Sequence, residues 1–217
     1  MPVSDLLVRK FVNGRFAQNS YLLGDATSRV AALVDPGEDT RELLAEVARG
    51  EWKVQAIWLT HAHIDHVLGV PAARQLTGAP VLLHPSDEPL YANVPAQATW
   101  MGIDAPVLPA TDGALVEGQE LRVGPHRFEV RHTPGHSPGS VSFLGDGLVI
   151  AGDVLFSGSI GRTDLPGGDF FTLMRSIHKH LLTLADDTVL YSGHGDDSTI
   201  GIERATNPFI TGEVRAG

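Results

Sequence analysis

Thr60-His61-Ala62-His63-Ile64-Asp65-His66 sets four side chains of the metal-ligating kind within six residues, and Gly69 closes the stretch. It follows directly on the apolar run 54–59, which reads as a buried strand. Polar groups at the end of such a strand lie where a rigid scaffold presents its reactive loops. His61 and His63 are two apart and share a face if the chain is extended. Asp65 and His66 come where the chain turns into the next segment, expected as a helix over 67–76 interrupted by Gly69 and Pro71. One short segment can therefore offer two pairs of ligands to two neighbouring points in space.

More ligands must come from elsewhere, and three turns after strand-like runs supply them. They are His136 in Thr133-Pro134-Gly135-His136-Ser137-Pro138-Gly139, Asp153 in Ala151-Gly152-Asp153, and His194 in Ser192-Gly193-His194-Gly195. Glycine precedes each one, which permits close approach at a crowded site. A structural zinc site is four-coordinate and commonly uses thiolates. Seven nitrogen and oxygen ligands exceed it, and this chain has no cysteine. The reading is a reactive centre with two divalent metal ions. Imidazole and carboxylate suit zinc, iron or manganese, and donor type does not choose among them; zinc is the expectation.

Outward from this segment, short apolar runs predict strands at 6–12, 20–23 and 30–34, then at 81–84, 114–116, 120–123, 127–132, 141–144, 148–151 and 189–191. A helix is expected after Asp35-Pro36-Gly37, with Asp39 as N-cap, Glu42 completing a capping box and Gly50 at its end. A longer helix is expected over 169–184, where Phe170, Leu173, Met174, Ile177 and Leu181 share a face. Residues 85–112 carry five prolines and little periodicity, and read as a long surface excursion. The strands fall in two runs, each with helices, which implies two β-rich halves packed face to face in one domain spanning 1–217.

Composition narrows the function. A net charge of −10, from 26 acidic and 16 basic side chains, disfavours nucleic acid and anionic membrane surfaces as partners. No apolar run approaches a membrane span, and the N-terminus lacks the pattern of a signal peptide, so the cytoplasm is the expected location. Gly135-His136-Ser137-Pro138-Gly139 matches the pattern of a serine-hydrolase elbow. That elbow must lead into a helix, whereas Pro138-Gly139 and an expected strand follow here.

His61-x-His63-x-Asp65-His66 followed by His136, Asp153 and His194 resembles the metallo-β-lactamase superfamily, over about residues 19–209. The resemblance implies an α/β fold, a four-layer αβ/βα sandwich with the metals at one edge. It implies that His61, His63 and His136 hold one metal and Asp65, His66 and His194 the other. Asp153 would bridge them beside a shared hydroxide, and Asp65 and Asp153 would count as catalytic. Gly161-Arg162-Thr163-Asp164-Leu165-Pro166-Gly167-Gly168-Asp169 and the tail Thr199–Phe209 look most like glyoxalase II hydrolases in a short, single-domain form. The implied substrate is a small-molecule thioester such as S-D-lactoylglutathione.

Two departures from that pattern stand out: only 23 residues follow His194, fewer than the helical extension of full-length glyoxalase II is expected to need, and Ser192 replaces a usual proline. Arg162 is the candidate for gripping a substrate carboxylate, against a structural pairing with Asp164. Asp35 and His84 are candidates for orienting the ligands. The Gly-Arg-Thr-Asp segment is shared with persulfide dioxygenases, which bind one iron, so that activity is the rival reading. A non-catalytic metal-binding role is the alternative of a different class, and a homo-oligomer is compatible with all three.

Overall fold

The structure, a computed structural model, describes residues 5–214. One six-stranded sheet runs in the order β1 (Leu6–Asn13), β2 (Gln18–Asp25), β3 (Val30–Val34), β4 (Lys53–Trp58), β5 (Val81–Leu83) and β6 (Gly113–Ala114). Its first three strands are antiparallel neighbours and β3 to β6 pair in parallel. The second six-stranded sheet contains β7 (Glu120–Val123), β8 (His126–His132), β9 (Val141–Gly145) and β10 (Leu148–Gly152). A small hairpin of β11 (Leu155–Phe156) and β12 (Ser159–Ile160) follows β10. β13 (Val189–Ser192) then returns parallel to β10, with β14 (Ser198–Thr199) at the edge.

Residues alternate between two cores along single strands. In β2, Tyr21 and Leu23 face the opposite sheet while Leu22 faces a helical layer. The same division separates Ala32 and Val34 from Leu33, and Ile150 from Val149 and Ala151. Strand side chains alternate faces, so a strand covered on both faces is apolar at every position. That is why these stretches read as unbroken apolar runs.

Helices complete the outer layers. Against the first sheet lie α1 (Arg41–Arg49), α2 (Ile64–Val67), α3 (Val70–Thr77), α4 (Glu88–Ala92) and α5 (Val94–Met101). Against the second lie α6 (Phe170–Ser176), α7 (Ile200–Thr206) and α8 (Pro208–Thr211). A π-helical turn at Ile177–Leu181 continues α6. Three apolar clusters fill the three interfaces between four layers. The arrangement is the αβ/βα sandwich expected from the sequence. Among the described residues, no helix is long and apolar enough to cross a membrane.

Several local expectations are corrected. Residues 85–112 contain α4 and α5 rather than only irregular chain. Pro89 and Pro95 stand in the first turns of these helices, where a proline costs no hydrogen bond. Asp39 does not cap α1. It adopts φ +60° and binds the Arg41 guanidinium at 2.5 and 2.7 Å, leaving Thr40 at the N-cap without a side-chain cap bond. The segment expected as a loop over 60–66 already turns helical at Ile64, and the helix expected over 67–76 is split at Gly69 into α2 and α3.

Candidate metal centre

All seven side chains expected at the centre meet at one edge of the sandwich. His61 and His63 extend from the end of β4, and Asp65 and His66 stand on α2. His136 lies between β8 and β9, Asp153 after β10, and His194 after β13. His63 Nδ1 lies 2.7 Å from His136 Nε2, and His61 Nε2 lies 3.2 Å from the same atom. On the other side, His194 Nε2 is 3.1 Å from Asp65 Oδ2 and His66 Nε2 is 3.7 Å from it. In each trio, one ligand atom per residue lies within 4.8 Å of the other two. Asp153 stands between the trios, with Oδ1 3.4 Å from His66 Nε2 and Oδ2 3.4 Å from His136 Nε2 and 3.6 Å from His194 Nε2.

The hydrogen bonds at the back of the rings decide which nitrogens carry lone pairs. His66 Nδ1 donates to Asp35 Oδ2 at 3.0 Å, and His136 Nδ1 donates to the Arg162 carbonyl at 2.8 Å. Thr60 Oγ1 donates to Asp35 at 2.6 Å, so it accepts from His61 Nδ1 at 3.0 Å. In its neutral form each of these rings turns the Nε2 lone pair inward, as metal-bound histidines do. His66 Nε2 and Asp153 Oδ1 are buried without a hydrogen-bond partner. Lone pairs converging at under 3.5 Å repel unless a cation lies among them. The donor set thus fits two divalent cations, one per trio.

Electrostatics agree. Burial, then the neighbouring imidazoles, push His61 well below the ordinary histidine range. Burial and His136 bring His63 down to about 3. Both stay neutral and able to ligate. Burial opposes charge on His66, but the Asp153 and Asp65 carboxylates outweigh it and raise that group. Burial would raise Asp153, yet His66 and then His136 and His194 hold it below the usual carboxylate range. The negative field that favours a proton on His66 equally favours a cation beside it.

Glycines before the ligands are required by contact. A Cβ at Gly193 would lie 2.1 Å from Asp153 Oδ1 and 2.7 Å from the His66 ring. At Gly135, with φ +133°, it would strike the Leu173 backbone at 2.2 Å.

Asp35 and His84 part company. Asp35 accepts from Thr60 N at 2.7 Å as well as from Thr60 Oγ1 and His66, so both its oxygens are engaged and it orients ligands. His84 stacks on His132, with ring centroids 4.1 Å apart, and accepts from Ser86 N. It shapes the turn Pro85–Asp87 rather than touching the centre.

That turn delivers a residue the sequence did not reveal. Asp87 is fully buried and accepts from Ala62 N at 3.0 Å, Ser137 Oγ at 2.7 Å and Gly139 N at 2.6 Å. It ties the His61–His63 segment to the His136 loop. Asn19 and Tyr21 do the same for the His194 loop, donating to the Ser192 carbonyl at 2.9 and 2.6 Å. Nothing in the local pattern around these three marks them, because their partners are distant in sequence.

Above the centre opens a cleft of about 900 Å³. His63, Asp65, His136, Asp153 and His194 form its floor, and Leu90, Trp100 and Met101 of the α4–α5 segment stand on one wall. Arg162 lines it too, but its Nε and Nη2 each donate to an Asp164 oxygen at 2.7 Å. The side chain is thus in the pairing with Asp164, while its carbonyl orients His136.

This sandwich with two ligand trios at its edge defines a metal-binding protein of hydrolase architecture. The model of the Metallo-beta-lactamase superfamily matches residues 13–194, and the chain belongs to that superfamily. It is 39% identical over 209 residues to the probable metallo-hydrolase YqgX of Bacillus subtilis, covering 94% of this chain and 97% of the relative. It is 37% identical over 204 residues to the hydroxyacylglutathione hydrolase GloC of Haemophilus influenzae, covering 90% and 93%. The crystal structure of TTHA1623 in a di-iron-bound form superposes with a TM-score of 0.85 at 41% identity, covering 93% of this chain and 100% of that one.

Proposed function

We propose that the chain is a metal-dependent thioester hydrolase, folded as one domain of its superfamily. His61, His63 and His136 would hold one divalent cation and Asp65, His66 and His194 the other, with Asp153 between the two trios. The observation that carries this reading is the pair of trios, each with inward lone pairs, on either side of a buried carboxylate. When bound there, such ions lower the pKa of water from 15.7 towards about 7 and polarise a carbonyl.

The residues do the rest. Asp35 and the Arg162 carbonyl fix the tautomers of His66 and His136, and the buried floor keeps both rings from rotating. Asp65 and Asp153 supply negative charge that holds the centre together and can receive a proton from the attacking water. In the net reaction the water oxygen bonds to the acyl carbon and the carbon–sulfur bond breaks. The sulfur leaves with the electron pair. A thiol has a pKa near about 8.5, so its departure as thiolate needs no dedicated acid.

GloC's name makes S-D-lactoylglutathione the reference substrate against which other thioesters are compared. Persulfide oxygenation at a single iron is the second reading. The ligand motifs of the two classes look alike, so it is the tail from Gly193 to Phe209 that favours hydrolysis over it. The test is metal analysis of the purified chain with a panel of acyl thioesters and glutathione persulfide. The expected result is two divalent ions per chain and thiol release from thioesters. Oxygen uptake with the persulfide, without thioester cleavage, would overturn the proposal.

A further inference from the structure

The walls of the cleft differ in kind from its floor. Trp100 is 74% exposed and Met101 39% exposed, on the last turn of α5. Half-buried Phe16, Leu90 and Phe156 also line the space. An exposed aromatic–aliphatic surface beside a polar centre gains free energy by covering an apolar group. The wall is held to the centre by Gln97, which accepts from Ile64 N at 3.1 Å and donates to the Leu90 carbonyl at 2.9 Å.

The basic side chains around the cleft are already paired. Among the described residues that line it, Arg162 is the one lysine or arginine, and Asp164 engages it through two hydrogen bonds of 2.7 Å. Arg15, next to Phe16, is closed on Glu38 at 2.8 Å. Lys10, which reaches the Gly195 carbonyl beside His194, is closed on Asp197 at 2.7 Å. A substrate carboxylate would have to displace one of these side chains and then sit beside the displaced carboxylate. An uncharged substrate pays no such cost and covers the apolar wall.

Resting on the thioester reading above, we propose that the cleft selects uncharged thioesters bearing a bulky aromatic or branched-alkyl group, which lies against Trp100, Met101 and Leu90, and does not select glutathione conjugates.

The test uses one acyl group on two carriers. Phenylacetyl-N-acetylcysteamine is neutral, and S-phenylacetylglutathione carries the two carboxylates. With the zinc-loaded chain, kcat/KM for the neutral thioester should exceed that for the conjugate by about tenfold or more. Trp100→Ala should raise KM for the neutral thioester about tenfold with kcat nearly unchanged, as expected when binding surface alone is removed. Asp164→Asn frees Arg162 and should shift the ratio towards the conjugate by about fivefold.

A readout independent of turnover comes from fluorescence. Trp52 and Trp58 are buried, so a blue shift on adding the uncleavable thioether analogue reports Trp100, and Trp100→Phe should abolish it. Cleavage with the glutathione conjugate preferred or equal, or an unchanged KM in Trp100→Ala, would overturn the proposal and leave thioester hydrolysis standing. Cleavage of neither thioester would defeat the hydrolase reading itself, and this proposal with it.

Discussion

The floor of the cleft and the wall made by α4 and α5 are built by opposite rules. Beneath the floor, His61 and His66 are fully buried, and Asp35, Asp87 and the Arg162 carbonyl engage the atoms behind the trios. On the wall, Trp100 and Met101 stand exposed, and the segment is tied to the floor through Gln97. Ligand geometry tolerates little displacement, so its supports are buried and numerous. Substrate contact needs only apolar area of a suitable shape. On the proposed reading, chemistry and selectivity are carried by separate elements, and variants of the two should fail in different ways.

The largest effect should come from the carboxylate shared by both trios. Asp153→Ala is expected to lower kcat/KM by more than the ~10–100-fold that outer partners of a metal site are worth. Metal analysis should show less than the wild-type content. Full activity and full content would break the contrast at its centre. Next, Asp35→Ala should weaken metal binding about 10–100-fold in a chelator competition.

Asp87→Ala should act on both stability and geometry. It strands the Ala62 and Gly139 amides, at about 1–3 kcal/mol for each buried group left unsatisfied, while the Ser137 hydroxyl keeps Ser140 Oγ at 2.8 Å. Partial access of water should hold the total near ~3 kcal/mol, a fall in Tm of about 6–12 °C for a chain of this size. An unchanged melting curve would show that the two ligand loops do not depend on this tie. Met101→Ala, on the wall, should raise KM a few-fold while metal affinity in the same competition stays at wild type. A loss of metal there would erase the distinction between floor and wall.

The smallest effect is in pH. The hydrogen bond from Arg162 holds Asp164 down to about 2. A carboxylate whose folded value is depressed keeps its pairing at all pH above that value and loses it only as pH falls through it. KM for a neutral thioester should therefore stay flat between about pH 5 and 8, whatever kcat does. A break in KM inside that range, absent in Asp164→Asn, would show the pair opening during use.

Much of the centre was legible in sequence because its ligands lie next to signals that act locally. His61, His63, Asp65 and His66 are contiguous, and glycines precede His136, Asp153 and His194 where a Cβ would collide. The unbroken apolar runs of β2, β3 and β10 reported strands covered on both faces. The α4–α5 wall was obscured because Pro85, Pro89 and Pro95 resemble loop punctuation, although helices accept proline in their first turn. The capping box expected at Asp39 failed because that residue was drawn to Arg41.

By itself, the amino-acid sequence determined which seven side chains converge, the sandwich class and the absence of thiolate chemistry, since residue type and short spacing carry that information. Only the tertiary structure decided that Asp87, Asn19 and Tyr21 brace the loops, and that Trp100 lines the cleft above the two trios. Those facts depend on contacts between residues up to 173 positions apart. No local pattern encodes such contacts until the two sheets close on one another.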